Sequence, residues 1–238
     1  AIALAATSCI TVLADAEQTD GSAAEATDDS TLGTQGVSAE LVDASNRENA
    51  YSNYVKKYAD AARPDQEVII NGADFVSKSD DAEISVTSVD GEDNVMQWAT
   101  QEGSVTFEFE VSESGVYNIE ACYEALAGGT TSVEFALLID DVCPYTTASR
   151  ITLSKRWVNE TEIQQDAKGN DIRPGQVEEV CWQTSPLKDI DGLFNEPLEF
   201  YIEAGKHTLT LQSTKAQFAL KYLKLYQYKT ADPHVAPS

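Results

Sequence analysis

The chain has 238 residues, 42% of them hydrophobic, and its 40 acidic and 16 basic residues give a formal net charge of −24 at pH 7. This length suits one all-β domain with flanking segments, while the charge excludes a nucleic-acid partner, which takes clustered Lys and Arg, and opposes an anionic membrane surface. With two histidines and no CxxC pair, a structural zinc site is excluded as well.

Residues 1–16 are predicted to be the remnant of a signal peptide, because a small, apolar run ends in Ala14-Asp15-Ala16, the small-x-small pattern of a signal peptidase site. The protein is therefore expected to be extracellular, either secreted or on the cell surface. Lipidation at Cys9 is the alternative, although Ala6 is a poor first residue for a lipobox. The run is too short to span a membrane. Residues 17–45 contain no aromatic and no basic residue and predict a disordered acidic tether.

Residues 46–64 are predicted to hold one helix that packs on the domain behind it. Four side chains follow the i, i+3, i+4, i+7 spacing of a single apolar stripe: Tyr51, Tyr54, Val55 and Tyr58. The helix is expected to run over residues 45–62 and to end before Pro64. A role in docking a peptide is the alternative to this structural role.

Over residues 65–229 the apolar period changes to two, which predicts an all-β domain with the architecture of an antiparallel β-sandwich. The alternating segments predict strands over residues 67–70, 105–111, 117–123, 132–139, 198–202, 207–211 and 218–226. Two hairpins are expected, at the turns Ser112–Gly115 and Glu203–Lys206, and Trp98 is expected in the core. Residues 230–238 resemble a linker to a further domain outside this sequence.

The stretch from Asp140 to Pro197 is the predicted location of a binding site, because long irregular connections are usually functional or well packed. It holds two of the three tryptophans. Sugar rings stack on flat aromatic faces, while amides, acids and Arg bind their hydroxyls. These residue types predict a carbohydrate site formed by Tyr145, Trp157, Asn170, Asp171, Arg173, Gln176 and Trp182. The alternative is that the tryptophans belong to the core.

No catalytic centre is predicted. A glycosidase needs two carboxyls that face each other across a sugar, whereas adjacent acids on a strand point to opposite faces. No GxSxG motif accompanies the two histidines. The acidic turn Asp166–Asp171 lacks the closing Glu of an EF-hand loop and is predicted to be solvated. Cys122 and Cys181 are expected to be small buried side chains, and a disulfide within the set Cys122, Cys143 and Cys181 stays open.

Together, these segments resemble the N-terminal module of large bacterial extracellular solute-binding proteins of ABC sugar transporters. The most specific match is Arg156-Trp157 followed by Asp166-x-x-Gly169-Asn170-x-x-Arg173-Pro174-x-Gln176-x-Glu178-x-x-x-Trp182. Further matches are the helix with Tyr51, Tyr54 and Tyr58 before Arg63-Pro64 and the strand to Phe75, then Val111-x-x-x-Gly115-x-Tyr117-x-Ile119, Leu138-Ile139-Asp140-x-x-x-Pro144 and Phe200-Tyr201-x-x-x-Gly205-x-His207-Thr208-Leu209. The resemblance covers about residues 50–228. It implies a galactose-binding-like jelly roll of the carbohydrate-binding-module type, with a downstream solute-binding domain and an ABC permease as partners.

The resemblance also bears on a structural calcium. Related modules often hold this ion through an opening strand that reads I-E-A-E-D-Y and an Asp in the last strand. Here the matching residues are Ile70-Asn71-Gly72-Ala73-Asp74-Phe75 and Lys221. Fewer carboxylates and an added ammonium remove the charge that calcium needs, so neither a metal nor another cofactor is expected.

The sequence therefore predicts a non-catalytic extracellular module that binds an oligo- or polysaccharide as part of a sugar-transport protein. The first alternative is a structural or protein-interaction spacer with the same sandwich and no ligand of its own. A glycoside hydrolase is the remote alternative.

Overall fold

The computed structural model describes residues 49–127, 132–215 and 217–229. The predictions for residues 1–16, 17–45 and 230–238 lie outside these residues. In chain order the elements are α1 (Tyr51–Lys57), β1 (Val68–Asn71), a 3-10 turn (Gly72–Asp74), β2 (Phe75–Lys78), β3 (Ile84–Val89), β4 (Glu92–Trp98), β5 (Gly103–Val111), β6 (Gly115–Ala125), β7 (Val133–Ile139), a second 3-10 turn (Thr146–Ser149), β8 (Ile151–Leu153), β9 (Arg156–Asn159), β10 (Gln164–Gln165), β11 (Asp171–Ile172), β12 (Gln176–Glu179), β13 (Gln183–Pro186), β14 (Glu199–Ile202), β15 (Gly205–Lys215) and β16 (Phe218–Tyr226). None of the described residues forms a helix that is long and apolar enough to cross a membrane.

The strands form two antiparallel sheets that pack on each other, and the predicted β-sandwich is confirmed. The first sheet has the order β13-β6-β16-β4-β3, with β1 also on β16 and β14 also on β6; the second has the order β2-β5-β15-β7-β8. One hydrophobic core lies between them. Phe135 of the second sheet stacks on Phe218 of the first, with ring centroids 6.3 Å apart. Trp98 is fully buried in this core, as expected.

The two predicted hairpins are wrong, because each turn carries the chain from one sheet to the other. β5 pairs with β2 and β15, whereas β6 pairs with β13, β14 and β16. The second turn likewise joins β14 in the first sheet to β15 in the second. The two corners touch, since the Ala204 amide donates to the Ser114 hydroxyl at 2.8 Å. The alternation of polar and apolar residues along a strand indicates which side chains are buried. It does not indicate which other strand lies beside it.

α1 is shorter than the predicted helix and ends at Lys57. The chain leaves the helical path at Tyr58, whose φ and ψ are −108° and 18°. Four residues later, the Ala62 carbonyl accepts a hydrogen bond from the Val116 amide of β6 at 2.8 Å. The segment after Lys57 is therefore tied to the corner before β6 instead of continuing as a helix.

Two tyrosine hydroxyls of α1 cover the open edge of β14. Tyr51 accepts a hydrogen bond from the Glu199 amide at 2.9 Å, and Tyr54 accepts one from the Tyr201 amide at 2.7 Å. Amides two residues apart point to the same side of a strand, and side chains three apart lie on one helix face, so the two spacings match. Burial raises the pKa of Tyr54 to about 12 and also raises the pKa of Tyr51, which keeps both hydroxyls neutral. The helix thus takes the place of a further strand.

Replacing Tyr54 with Phe should lower the free energy of unfolding by about 1–3 kcal/mol, because the part-buried Tyr201 amide loses its acceptor. Urea denaturation measures this change. Tyr58→Phe is the matched control, since the Tyr58 ring stacks on Tyr201 at 4.2 Å and this stacking survives without the hydroxyl. Equal effects of the two substitutions would contradict the edge-covering role of the Tyr54 hydroxyl.

A second polar contact joins the turn after β7 to the start of β15. Asp140 and Asp141 form this turn with φ values of 50° and 63°. The Asp140 carboxylate lies 2.6 Å from Nδ1 of His207, whose Nε2 lies 2.8 Å from the Glu203 carbonyl oxygen. The Glu203 carbonyl oxygen and an ionised Asp140 carboxylate can only accept hydrogen bonds, so this geometry favours the doubly protonated imidazolium form of His207. Burial lowers the pKa of His207, but the hydrogen bonds to Asp140 and Glu203 outweigh it and the net pKa is raised.

A raised pKa means that His207 stabilises the fold fully below its unfolded pKa of about 6.5 and that this stabilisation is lost as the pH rises through the folded pKa. Asp140→Asn should therefore lower the His207 pKa. The free energy of unfolding should then decrease less as the pH rises above ~6.5. Asn is chosen because it tolerates the positive φ at this position. NMR titration measures the pKa, and the chain's other histidine, His234, gives a reference signal. An unchanged His207 pKa in the variant would refute the ion pair.

Candidate functional site

Residues 156–179 form a two-stranded antiparallel arm between β8 and β13. Its base is the pair β9–β12, its outer part is the pair β10–β11, and a hydrogen bond of 2.9 Å from the Glu160 amide to the Gly175 carbonyl joins the two. Every residue from Asn159 to Arg173 is exposed. The predicted irregular connection is thus a regular ribbon that stands out from the sandwich.

One face of the arm combines an exposed aromatic ring with polar groups. In the register of β9 and β12, Trp157 lies opposite Glu178 and Asn159 lies opposite Gln176. Since side chains alternate along a strand, these four share one side of the arm, which we call the tryptophan face. The Trp157 side chain is 51% exposed. The Gln176 amide donates a hydrogen bond to Oδ1 of Asn159.

An ion pair fixes the base of the tryptophan face to the sandwich. Nζ of Lys155 lies 2.6 Å from Oε1 of Glu178, and the Lys155 side chain is only 4% exposed. The same ammonium donates to the Leu126 carbonyl at 3.4 Å. Because the ammonium is buried, dissolved salt weakens the attraction within this ion pair less than it would on the surface. The Glu178 carboxylate is therefore held in place beside Trp157.

Two of the predicted site residues belong to the body of the domain. Tyr145 is 1% exposed, with ring centroids of Tyr51, Tyr54 and Phe200 at 4.7, 4.8 and 5.6 Å. Its ring has no open face for a sugar, so its assignment to the site is wrong. Trp182 is half-buried and donates from Nε1 to the Val89 carbonyl at 3.2 Å, which places it against the turn between β3 and β4.

The three remaining predicted residues lie at the outer end of the arm. Asn170 closes the tip turn, because its side-chain and main-chain N–H groups both donate to the Asp166 carboxylate at 2.9 Å. Asp171 accepts from the Gln165 amide at 3.0 Å. Arg173 has no hydrogen bond or ion pair within the described part of the chain. Hydrogen bonds from Asn170 and Lys168 lower the pKa of Asp166, so this turn is closed on itself.

Of the seven predicted residues, the structure brings only Trp157 and Gln176 together on the tryptophan face. Sequence reasoning missed Asn159 and Glu178, although both lie two residues from a predicted residue in a segment that forms a strand. The two-residue period of Trp157-x-Asn159 and Gln176-x-Glu178 would have found them.

Glu124 is a buried carboxyl that sequence reasoning also missed. It lies on β6, is 2% exposed, and its Oε2 has no hydrogen-bond partner. Burial raises its pKa above the ordinary value for Glu, and the nearby Asp90 carboxyl adds to this shift. Asp90 follows Val89, the residue that Trp182 contacts. The Glu124 side chain therefore lies beneath the surface, next to the exposed Asp90.

The residues that match calcium ligands in related modules do not fit that ion here. The Asn71 side-chain amide donates to the Asp74 carboxylate at 2.9 Å, and the Lys221 ammonium lies 2.7 Å from Oε2 of Glu92. Among the described residues, no group of three His, Cys, Asp or Glu side chains is placed to hold a metal. Cys122, Cys143 and Cys181 are not bridged to one another, and Cys122 is buried as expected, whereas Cys181 is only half-buried.

No protein-family model matches the chain, and no curated protein matches it. Among solved structures it is similar to the C-terminal CBM6 of the marine laminarinase LamC from Zobellia galactanivorans, with 11% identity, a TM-score of 0.40, and coverage of 68% of this chain and 100% of that one. It is also similar to a family 35 carbohydrate-binding module from Clostridium thermocellum, with 12% identity, a TM-score of 0.38, and coverage of 68% and 99%. A third neighbour is the GH26-CBM35 β-(1,4)-mannanase from Podospora anserina, with 10% identity and a TM-score of 0.39. The match covers 72% of this chain but only 30% of the length of that enzyme. Similarity at this level describes architecture only.

The variant Glu124→Gln should have a higher free energy of unfolding than the parent protein at pH 7. At pH 4 the difference between the two proteins should be smaller. A carboxyl with a raised pKa stabilises the fold below its unfolded pKa of about 4.3 and loses this contribution as the pH rises through the folded pKa. Gln cannot ionise, and its amide can donate to Asp90. Urea denaturation should therefore show the variant to be more stable than the parent at pH 7, with a smaller difference at pH 4.

Glu120→Gln is the matched control, on the same face of β6. Glu120 already pairs with the Lys224 ammonium at 2.9 Å, so its loss should not stabilise the protein at pH 7. A variant Glu124→Gln that is less stable than the parent at pH 7 would show that the carboxylate is well accommodated.

Proposed function

We propose that this chain is a non-catalytic extracellular module that binds an oligo- or polysaccharide through the tryptophan face. The observation that carries the proposal is the half-exposed Trp157 ring beside two amides and a fixed carboxylate. A pyranose ring stacks its C–H groups on an aromatic face, and its hydroxyls need donors and acceptors at the edge of that face. The tryptophan face supplies both.

The geometry of the arm suits two successive sugar units. Asn159 and Gln176 lie one register step of two residues from Trp157 and Glu178, which is roughly 6.6 Å along the strands. The bond between the amides leaves Nδ2 of Asn159 as a donor and Oε1 of Gln176 as an acceptor for hydroxyls. A sugar on Trp157 would therefore place its neighbour over the two amides.

The carboxylates of the arm support binding without hydrolysis. Glu178 and Glu179 point to opposite faces and pair with Lys155 and Arg156 respectively. Since they lie on opposite sides of the arm, these two carboxylates cannot face each other across a sugar, which is the arrangement that glycoside hydrolysis needs. The described carboxyl with a clearly raised pKa, Glu124, lies beneath the surface.

The wider context of the module rests on the sequence resemblance. The match of Arg156-Trp157 and the segment Asp166 to Trp182 with solute-binding proteins supports a role in sugar uptake. In that setting the module would hold a polysaccharide near a downstream solute-binding domain and an ABC permease.

A spacer or protein-interaction module without a ligand is the second candidate. It is favoured by the mutual pairing of polar groups on the arm, such as Gln176 with Asn159 and Gln165 with Asp171. Exposed apolar side chains on the arm, Ile163 at 58% and Ile172 at 50%, would suit a protein contact.

Trp157→Ala should weaken glycan binding by about tenfold or more, because the loss of stacking area removes at least about 1.4 kcal/mol. A glycan array followed by calorimetry on the strongest ligand measures the change. Trp182→Ala is the matched control, since this tryptophan packs on the body and should affect stability more than binding.

Loss of binding in Trp182→Ala but not in Trp157→Ala, with both variants folded, would move the site from the arm to the body. Absence of any glycan binding at about millimolar concentration would favour the spacer. Turnover of chromogenic glycosides would contradict the non-catalytic role.

A further inference from the structure

The two large sheets protect most of their edges. Apart from β3, the edge strands among the described residues are short: β1, β2, β13 and β14 have four residues each and β8 has three. β14 is covered by the hydroxyls of α1, and β13 ends in Pro186. β2 has a register shift and carries Lys78 at its end. Short length, Pro, Lys and bulges all discourage the addition of a further strand.

β3 lacks these protections along most of its length. Its six residues, Ile84–Val89, contain neither a charged residue nor a proline, and it pairs with β4 on one side only within the described part of the chain. Val86 is 45% exposed, and Ser85 and Ser88 are also exposed. The register shifts only near the end, between Thr87 and Val89.

The hydrogen-bond pattern shows which main-chain groups of β3 are open. The Ala99 amide donates to the Glu83 carbonyl at 2.9 Å, so this pair is a hydrogen-bonded one. In an antiparallel pair, residues that exchange main-chain hydrogen bonds alternate with residues that do not. Ser85 and Thr87 therefore form hydrogen bonds with β4, whereas the N–H and C=O groups of Val86 point away from β4. At the C-terminal end of β3, the Val89 carbonyl already accepts a hydrogen bond from Nε1 of Trp182.

We propose that β3 is a strand-addition site for an extended polypeptide whose uncharged, β-branched centre is flanked by Lys or Arg. Acidic residues bracket the strand, with Asp81 and Glu83 before it and Asp90 and Asp93 after it. Main-chain bonds to Val86 provide affinity, and basic flanks on the partner match the acidic ends.

The same acidic ends argue against a second copy of this chain as the occupant. An antiparallel pair of β3 strands centred on Val86 would place Glu83 of one copy opposite Val89 of the other, one residue from Asp90, and a parallel pair would bring each acid close to its own counterpart. Like charges across a strand pair are destabilising, and the net charge of −24 adds to the repulsion. A basic partner meets no such barrier.

The probe is the synthetic peptide Lys-Lys-Thr-Val-Thr-Val-Thr-Lys-Lys, added to the whole chain and followed by amide hydrogen exchange with NMR detection. We expect exchange of the Val86 amide to slow about tenfold or more at saturation, while the Ser85 and Thr87 amides, already bonded to β4, change little. Binding should weaken as salt is raised.

Val86→Lys puts a positive charge on the open edge and should weaken peptide binding by about tenfold or more. Ile69→Lys is the matched control, because Ile69 is a 58% exposed β-branched residue on β1 of the same sheet, and this change should leave binding intact. Glycan binding should be the same in both variants as in the parent, which separates this site from the tryptophan face.

Three results would overturn the proposal. The first is no peptide binding at about 1 mM. The second is binding with unchanged exchange at Val86, which would place the peptide elsewhere. The third is a concentration-dependent dimer with a protected Val86 amide in the absence of peptide, which would make a second copy the occupant.

Discussion

The architecture depends on how the main-chain amides at the open edge of β14 find hydrogen-bond acceptors. Two tyrosine hydroxyls of α1 accept hydrogen bonds from the Glu199 and Tyr201 amides, and Arg63 adds an ion pair to Glu199 at 2.8 Å. An unpaired amide at a buried edge is costly, so a short helix that would be unstable in isolation is fixed in place by this pairing. The helix in turn covers Tyr145, which becomes a core residue between Tyr51, Tyr54 and Phe200.

The chain crosses between the two sheets at both corners and again through the arm. Since β5 continues into β6 and β14 into β15 across the layers, consecutive strands alternate between sheets at both corners. The arm leaves from β8, at the edge of the second sheet, and returns into β13, at the edge of the first. It therefore connects an edge strand of one sheet to an edge strand of the other, and the Lys155–Glu178 ion pair lies at its base.

The two surfaces proposed for binding use different physics. On the tryptophan face, charge is neutralised by Lys155, so recognition falls to an aromatic ring and two amides, as suits an uncharged glycan. At the edge of β3 the proposed bonds come from the main chain, and the exposed acids Asp81 and Glu83 would favour a basic partner. Trp157 and Val86 lie on separate strands, so the two proposed surfaces do not share these residues.

By itself, the sequence determined the all-β class, the burial of Trp98 and the positions of seven strands (β1, β5, β6, β7, β14, β15 and β16), because a two-residue period records which side chains avoid water. It did not predict β3 or β4. It also pointed to Trp157 and Gln176. Only the tertiary structure decided that the segments around Gly115 and Gly205 are corners and not hairpins, that Tyr145 is buried, and that Asn159 and Glu178 share the tryptophan face. Strand partners and layers are set by contacts between residues far apart in the chain, and a local pattern of polar and apolar residues is the same for every partner a strand could take.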